Sequence, residues 1–140
     1  MREIEFRGKA KHNNEWVYGF YSPLIWYPSL TQTPSIKTFK GGDMEINPET
    51  LGQYTGVKDK NGTKIFEGDI VKYCIHTKGY EHLDKNYIVE FSFGGFRLRE
   101  NLFDEFSDYV DNDSVDWDRC EVIGNIYDNP ELLEVNNAQN

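Results

Sequence analysis

The amino-acid sequence predicts a mainly β fold, and three observations carry that reading. Aromatic and aliphatic residues alternate with polar ones at a period of two through several stretches. Asparagine- and glycine-based turn signals separate those stretches. Helical spacing is confined to two short segments near the C-terminus, Leu102 to Tyr109 and Asn129 to Leu133.

Ile4 and Phe6 alternate with charged residues, Lys11-His12-Asn13-Asn14 reads as a turn, and Trp16, Tyr18 and Phe20 alternate again. Together they predict an N-terminal β-hairpin. From Tyr21 to Met44, Pro23, Pro28, Pro34 and Gly41-Gly42 interrupt the aromatic runs, which predicts a long irregular excursion holding at most brief strands. Asn61-Gly62, between Val57 and Ile65, predicts a type I′ hairpin turn at Lys60 to Thr63, because that turn needs positive φ at both central residues. Glu67-Gly68 suits the centre of a type II turn with Gly68 at positive φ, and the Asp69 carboxylate is placed to bond nearby backbone N–H groups. A strand follows from Ile70 to Ile75.

Tyr87, Val89, Phe91 and Phe93 alternate, Gly94-Gly95 turns the chain, and Phe96 and Leu98 start the return, a second hairpin. Leu102, Phe103 and Phe106 share one face of a short helix, and Cys120 to Ile126 forms the last strand. Asn129-Pro130 reads as an N-cap followed by Pro at the first helical position, so a short C-terminal helix is expected.

The chain has 140 residues, 38% hydrophobic and 15% aromatic, enough for one domain with a core of its own. One domain over 1–140 is expected, with the hairpin and excursion in 1–50 and a barrel-like part in 51–135. Two cysteines, Cys74 and Cys120, are too few for a disulfide scaffold, Met-Arg-Glu-Ile-Glu-Phe is too charged to open a signal peptide, and no segment approaches a membrane span of about 20 apolar residues. The expectation is a soluble cytoplasmic protein with no membrane association. Net charge is −9 and uneven: residues 1–90 hold 12 Lys/Arg and 12 Asp/Glu, residues 91–140 hold 3 and 12. Such asymmetry marks either a partner surface or a solvated face.

No motif amounts to an active site. GxxxxGK, HExxH and GxSxG are all absent. Cys74 and His76, with His82 and Cys120, allow a zinc site to be drawn, but no CxxC pair supports it and buried thiols are the simpler reading. Asp111-Asn112-Asp113-Ser114-Val115-Asp116 lacks the oxygen ligand and the glycine that a calcium loop needs where Val115 and Asp116 stand. Asp104, Glu105 and Asp108 read as a wet helix face rather than an acid–base set. No catalytic residue, metal or cofactor is expected.

MREIEFRGK followed by EWVYGF, INPETLGQYTGVKDKNGTKIFEGDIVKY, YIVEF and CEVIGNIYDNPELLE resemble, in that order and over nearly the full chain, the YopX family of small phage and prophage proteins. Gly52, Gly56, Asp59, Asn61, Gly62, Gly68, Asp69, Gly124, Asn129 and Pro130 are similar to its signature positions. Residues Tyr21 to Met44 and Asn101 to Asp118 match no motif. The resemblance implies an all-β architecture and an origin on mobile elements in a bacterial host cell, and it implies no reaction. By analogy of folds, the GDIV strand, a hairpin and a closing strand also look like a small SH3-like barrel. The signature reads as scaffold: turn residues, a hairpin tip and a helix start.

Two functional readings compete. The preferred one is a non-catalytic interaction module that binds a host or phage protein, with Asp104, Asp108, Asp111, Asp113 and Asp116 as a surface for a basic partner. The aromatic run Tyr21 to Tyr27 adds an expected homo-oligomer contact. The alternative is a nucleic-acid binder in which Arg2, Arg7, Lys9, Lys11, Lys58, Lys60 and Lys64 meet phosphates while Trp16, Tyr18 or Tyr54 stack on bases. The overall charge disfavours it.

Overall fold

In a computed structural model the chain is mainly β, as its alternation predicts. The structure describes residues 3–74, 84–92, 94–99, 109–110 and 116–133. The chain divides into two compact units, residues 1–56 and 57–140, with the dividing point inside a strand.

The N-terminal unit is built on β1 (Phe6–Lys9) and β2 (Trp16–Tyr21), the predicted hairpin, paired antiparallel with Arg7 opposite Tyr18 and Lys9 opposite Trp16. The Tyr21 to Met44 region contributes more than irregular chain. After a separate two-stranded ribbon, β3 (Leu24–Trp26) with β4 (Thr31–Thr33), it adds β5 (Ser35–Thr38) and β6 (Asp43–Glu45) to the main sheet. With β7 (Gly52–Lys58) the order is β6-β5-β2-β1-β7.

Backbone proximity explains how such short strands hold. A Cβ on Gly19 would lie 2.0 Å from the Lys37 carbonyl oxygen, and one on Gly8 would lie 2.7 Å from Ile46 Cδ1. The approach at Gly19 is to backbone and only glycine permits it, whereas at Gly8 the Ile46 side chain would have to shift. Ala10, Ile36 and Ile46 are fully buried. The 3-10 turn Pro48–Thr50 docks by Thr50, whose Oγ1 accepts from the Lys9 N–H at 2.9 Å.

The C-terminal unit receives β7 at Val57 and continues with β8 (Lys64–Phe66), β9 (Asp69–Cys74), β10 (Asp84–Ser92), β11 (Gly95–Arg99), β12 (Tyr109–Val110) and β13 (Cys120–Asn125). Its five-stranded sheet runs β12-β11-β10-β9-β13. Period-two alternation sorts the side chains into two clusters. Val71, Tyr73, Tyr87, Val89, Leu98 and Cys120 pack with Ile65, while Ile70 and Ile88 pack with Leu133.

Among the described residues the sheets are not closed into the expected barrel. The outer edge of β13 is occupied by the β7–β8 loop, with the Lys60 N–H donating to Cys120 O at 3.0 Å and the Val122 N–H donating to Asp59 Oδ2 at 2.9 Å. Those bonds satisfy edge groups that barrel closure would have used. The C-terminal helix is also replaced, by a four-residue 3-10 turn, Pro130–Leu133. Asn129 does not cap it through its side chain; Oδ1 instead accepts from the Asn125 N–H at 3.4 Å. The expected helix Leu102 to Tyr109 lies outside the described residues except for Tyr109, which is in strand β12.

Candidate functional site

Alternation along β2 puts Trp16, Tyr18 and Phe20 on one face of the N-terminal sheet, and pairing with β1 sets Arg7 and Lys9 beside them. Two cations brace the Trp16 ring, Arg7 Cζ at 4.4 Å and Lys9 Nζ at 5.4 Å from its centroid. Phe20 meets Phe39 edge to face with centroids 5.2 Å apart. Beyond β5 the chain turns at Gly41 and Gly42, both at positive φ (98° and 85°). Between that turn and β2 lies a groove of about 350 Å³, lined by Trp16, Val17, Tyr18, Phe39 and Met44 among others.

The ribbon β3–β4 carries the second apolar group of this unit. Its polar contacts are internal: Trp26 Nε1 donates to Thr33 Oγ1 at 2.7 Å, and the Ser29 and Thr31 hydroxyls bond each other at 2.7 Å. Its apolar side chains face out, Tyr27 79% and Leu30 62% exposed. Leu30 also has φ 58°, a left-handed conformation that is unusual for leucine and concentrates at functional turns. Among the described residues, nine of the ten exposed large hydrophobics lie in residues 1–56, the tenth being Phe91.

The signature residues lie elsewhere and act on the backbone. Asp59 is buried, and its Oδ1 accepts from the Asn61 and Thr63 N–H groups while Oδ2 accepts from Val122. The Gly62 N–H donates to Asp59 O, and Gly62 has φ 81° whereas Asn61 is not at positive φ. The loop is therefore a three-residue connection closed by a left-handed glycine, and not the type I′ turn; the Asp59 carboxylate is what selects it. Gly68 has φ 91°, its N–H donating to Val89 O, and Asp69 Oδ2 accepts from the Phe66 N–H at 2.7 Å.

Gly56 is at φ 92° within β7, and Gly52 pairs with Arg7. A Cβ on Gly124 would sit 2.6 Å from Asn129 Oδ1, so those two signature positions fit against each other. Pro130 opens the 3-10 turn that brings Leu133 onto Ile70 and Ile88.

Of the proposed acidic surface, Asp104, Asp108, Asp111 and Asp113 lie outside the described residues, as does most of the candidate calcium loop. Asp116 is exposed, accepts from the Asp118 N–H and pairs with Arg119 Nε at 3.2 Å. Of the candidate nucleic-acid residues, Arg2 lies outside the described residues, and Lys11, Lys58 and Lys60 are exposed. Arg7 and Lys9 are 6% and 7% exposed, Tyr54 is buried, Lys11 pairs with Glu45, and Lys60 pairs with Glu121.

His76, His82 and the Cys74 side chain lie outside the described residues. Burial, followed by the Asp116 and Asp59 charges, pushes the Cys120 thiol up to about 12. A thiol so held is protonated at neutral pH and is not poised as a nucleophile. Among the described residues no three His, Cys, Asp or Glu side chains cluster to hold a metal. No helix among them is long and apolar enough to cross a membrane.

The groove was not foreseen from the sequence, in which Trp16 and Tyr18 read as hairpin strand residues and, functionally, as base-stacking candidates. The available signal was the alternation of Ile36 and Thr38 with Met44 and Ile46 around Gly41-Gly42, a hairpin pattern in its own right.

Comparison with known proteins adds two findings. The crystal structure of protein EF1440 from Enterococcus faecalis is similar at 31% identity and a TM-score of 0.55, covering 95% of this chain and 99% of that one. No curated protein matches. The model of the YopX protein family matches residues 5–134, nearly the whole chain, and the chain belongs to that family.

Proposed function

We propose that the protein is a non-catalytic interaction module, carried by a phage or prophage, that binds a host or phage protein inside the bacterial cell through the aromatic surface of residues 1–56. The observation that carries this reading is the concentration of exposed large hydrophobics in that unit. Scattered apolar side chains need no explanation, but a group of aromatics on one sheet face and its neighbouring ribbon marks an interaction surface.

Burial of Arg7 and Lys9 speaks against the nucleic-acid alternative, since phosphate contacts need exposed cations. The Leu24–Thr33 ribbon is the surface through which a homo-oligomer would form, and light scattering across a concentration series reads that directly. The main test is affinity capture from the host cell with the unaltered chain and with a Tyr18→Ser, Phe39→Ser variant. The reading expects a partner held by the first and lost by the second at equal melting temperature. Equal capture by both would remove it.

A further inference from the structure

We propose that the groove between β2 and the β5–β6 turn is a recognition pocket for an aromatic side chain flanked by a carboxylate on a partner protein. This rests on the interaction-module reading and names the partner chemistry. The groove is preformed. Trp16 is braced by Arg7 and Lys9, and Phe39 by Phe20. The opposite wall is a locked turn, in which the Thr38 N–H donates to Gly42 O at 3.0 Å, the Gly41 N–H to Thr38 O at 3.0 Å, and the Thr38 hydroxyl to Gly41 O at 2.7 Å.

At about 350 Å³ the space stands at the low end for ligand pockets, which suits one aromatic side chain rather than a folded surface. The turn does not crowd its side of the groove, since a Cβ on Gly41 would meet nothing within 4 Å.

Charge decides what lies beside that side chain. The only charged residue lining the groove is Lys40, on its rim and exposed. Among the described residues its ammonium makes no ion pair or hydrogen bond. Lys37, the cation on β5, does not line the groove and stands opposite Asp43 in register. One uncompensated cation beside aromatic walls favours a single carboxylate next to the inserted ring and disfavours a basic segment. A run of phosphates would require further exposed cations, and Arg7 and Lys9 are buried behind Trp16.

The test uses fluorescein-labelled peptides with an Asp-Trp-Asp, Lys-Trp-Lys or Asp-Ala-Asp centre, titrated against the full chain at low salt, with amide NMR to locate binding. The proposal expects Asp-Trp-Asp to bind with Kd below about 1 mM. It expects at least tenfold weaker binding of the other two peptides, and shifts confined to residues 16–18 and 38–44. Lys40→Glu, at an exposed position, is expected to reverse the order of the Asp-Trp-Asp and Lys-Trp-Lys peptides without lowering Tm.

Indifference to peptide charge, shifts elsewhere or no binding would overturn it. So would tighter binding of an oligothymidylate, or of the uncharged peptide spanning residues 22–33, which would make the groove a nucleic-acid or self-association site. A captured partner that is lost on Tyr18→Ser but held equally by Lys40→Glu would leave the module reading standing and remove this one.

Discussion

In the C-terminal unit, β9 puts Val71 and Tyr73 on one face and Ile70 on the other, and both faces are covered by apolar neighbours. In the N-terminal unit, β2 puts Trp16, Tyr18 and Phe20 on one face, and Tyr18 and Phe20 stay 42% and 51% exposed. The charge differs as well: residues 1–56 hold 6 Lys/Arg and 6 Asp/Glu, residues 57–140 hold 9 and 18. Among the described residues, the C-terminal unit packs its apolar residues against one another and carries the excess of acidic residues, while the N-terminal unit holds most of the exposed large hydrophobics. A surface that packing leaves apolar is the place to look for a partner.

The largest effect that would break this comparison is at Gly19. An added methyl group would overlap the Lys37 carbonyl oxygen, so Gly19→Ala should cost about 3 kcal/mol or more and open the N-terminal sheet. Urea unfolding with limited proteolysis reads both, and an unchanged midpoint would contradict the backbone-proximity account. Asp59→Ala comes next. It strips three part-buried N–H groups of their acceptor, including that of Val122 at the sheet edge, and should lower stability by about 1–3 kcal/mol in the same assay. Gly68→Val, at φ 91°, should cost about 1–3 kcal/mol in a thermal melt, and an unaltered Tm would refute the strain assigned to that turn.

Cys120 sharpens the contrast by pH. Its folded-state pKa, about 12, stands above the ordinary 9.0, so its contribution is full below pH 9 and is lost as pH rises through 12. Stability should fall above pH 9 by up to about 1 kcal/mol per pH unit more in the unaltered chain than in Cys120→Ala. Parallel slopes would refute it. The smallest stability effects belong to Tyr18→Ser and Phe39→Ser, about 1 kcal/mol or less each, because both side chains are largely exposed and Phe39 loses mainly its edge contact with Phe20.

The C-terminal unit was largely legible because its strands obey a period of two: Tyr87 and Val89 on one face, Phe96 and Leu98 in the return strand, Gly68 at a turn that needs positive φ. What misled there was tertiary. Nothing local in Asp59 announces that its carboxylate reaches Val122 and helps hold the sheet open, and Asn129 reads as a cap until Gly124 is seen beneath it.

The N-terminal unit resisted for a different reason. Proline breaks between Tyr21 and Met44 hid β5 and β6, whose places depend on a glycine in another strand, Gly19 against Lys37. The groove inherits that difficulty, because Trp16 and Phe39 become neighbours of one space only after β5 is docked on β2.

Hydrogen–deuterium exchange of the chain alone and with its captured partner tests the division of labour most directly. Slowed exchange on binding is expected in 16–21, 24–33 and 38–44, with the strands from 69 to 125 unchanged. Protection concentrated in the C-terminal unit, with those three segments unaltered, would contradict it.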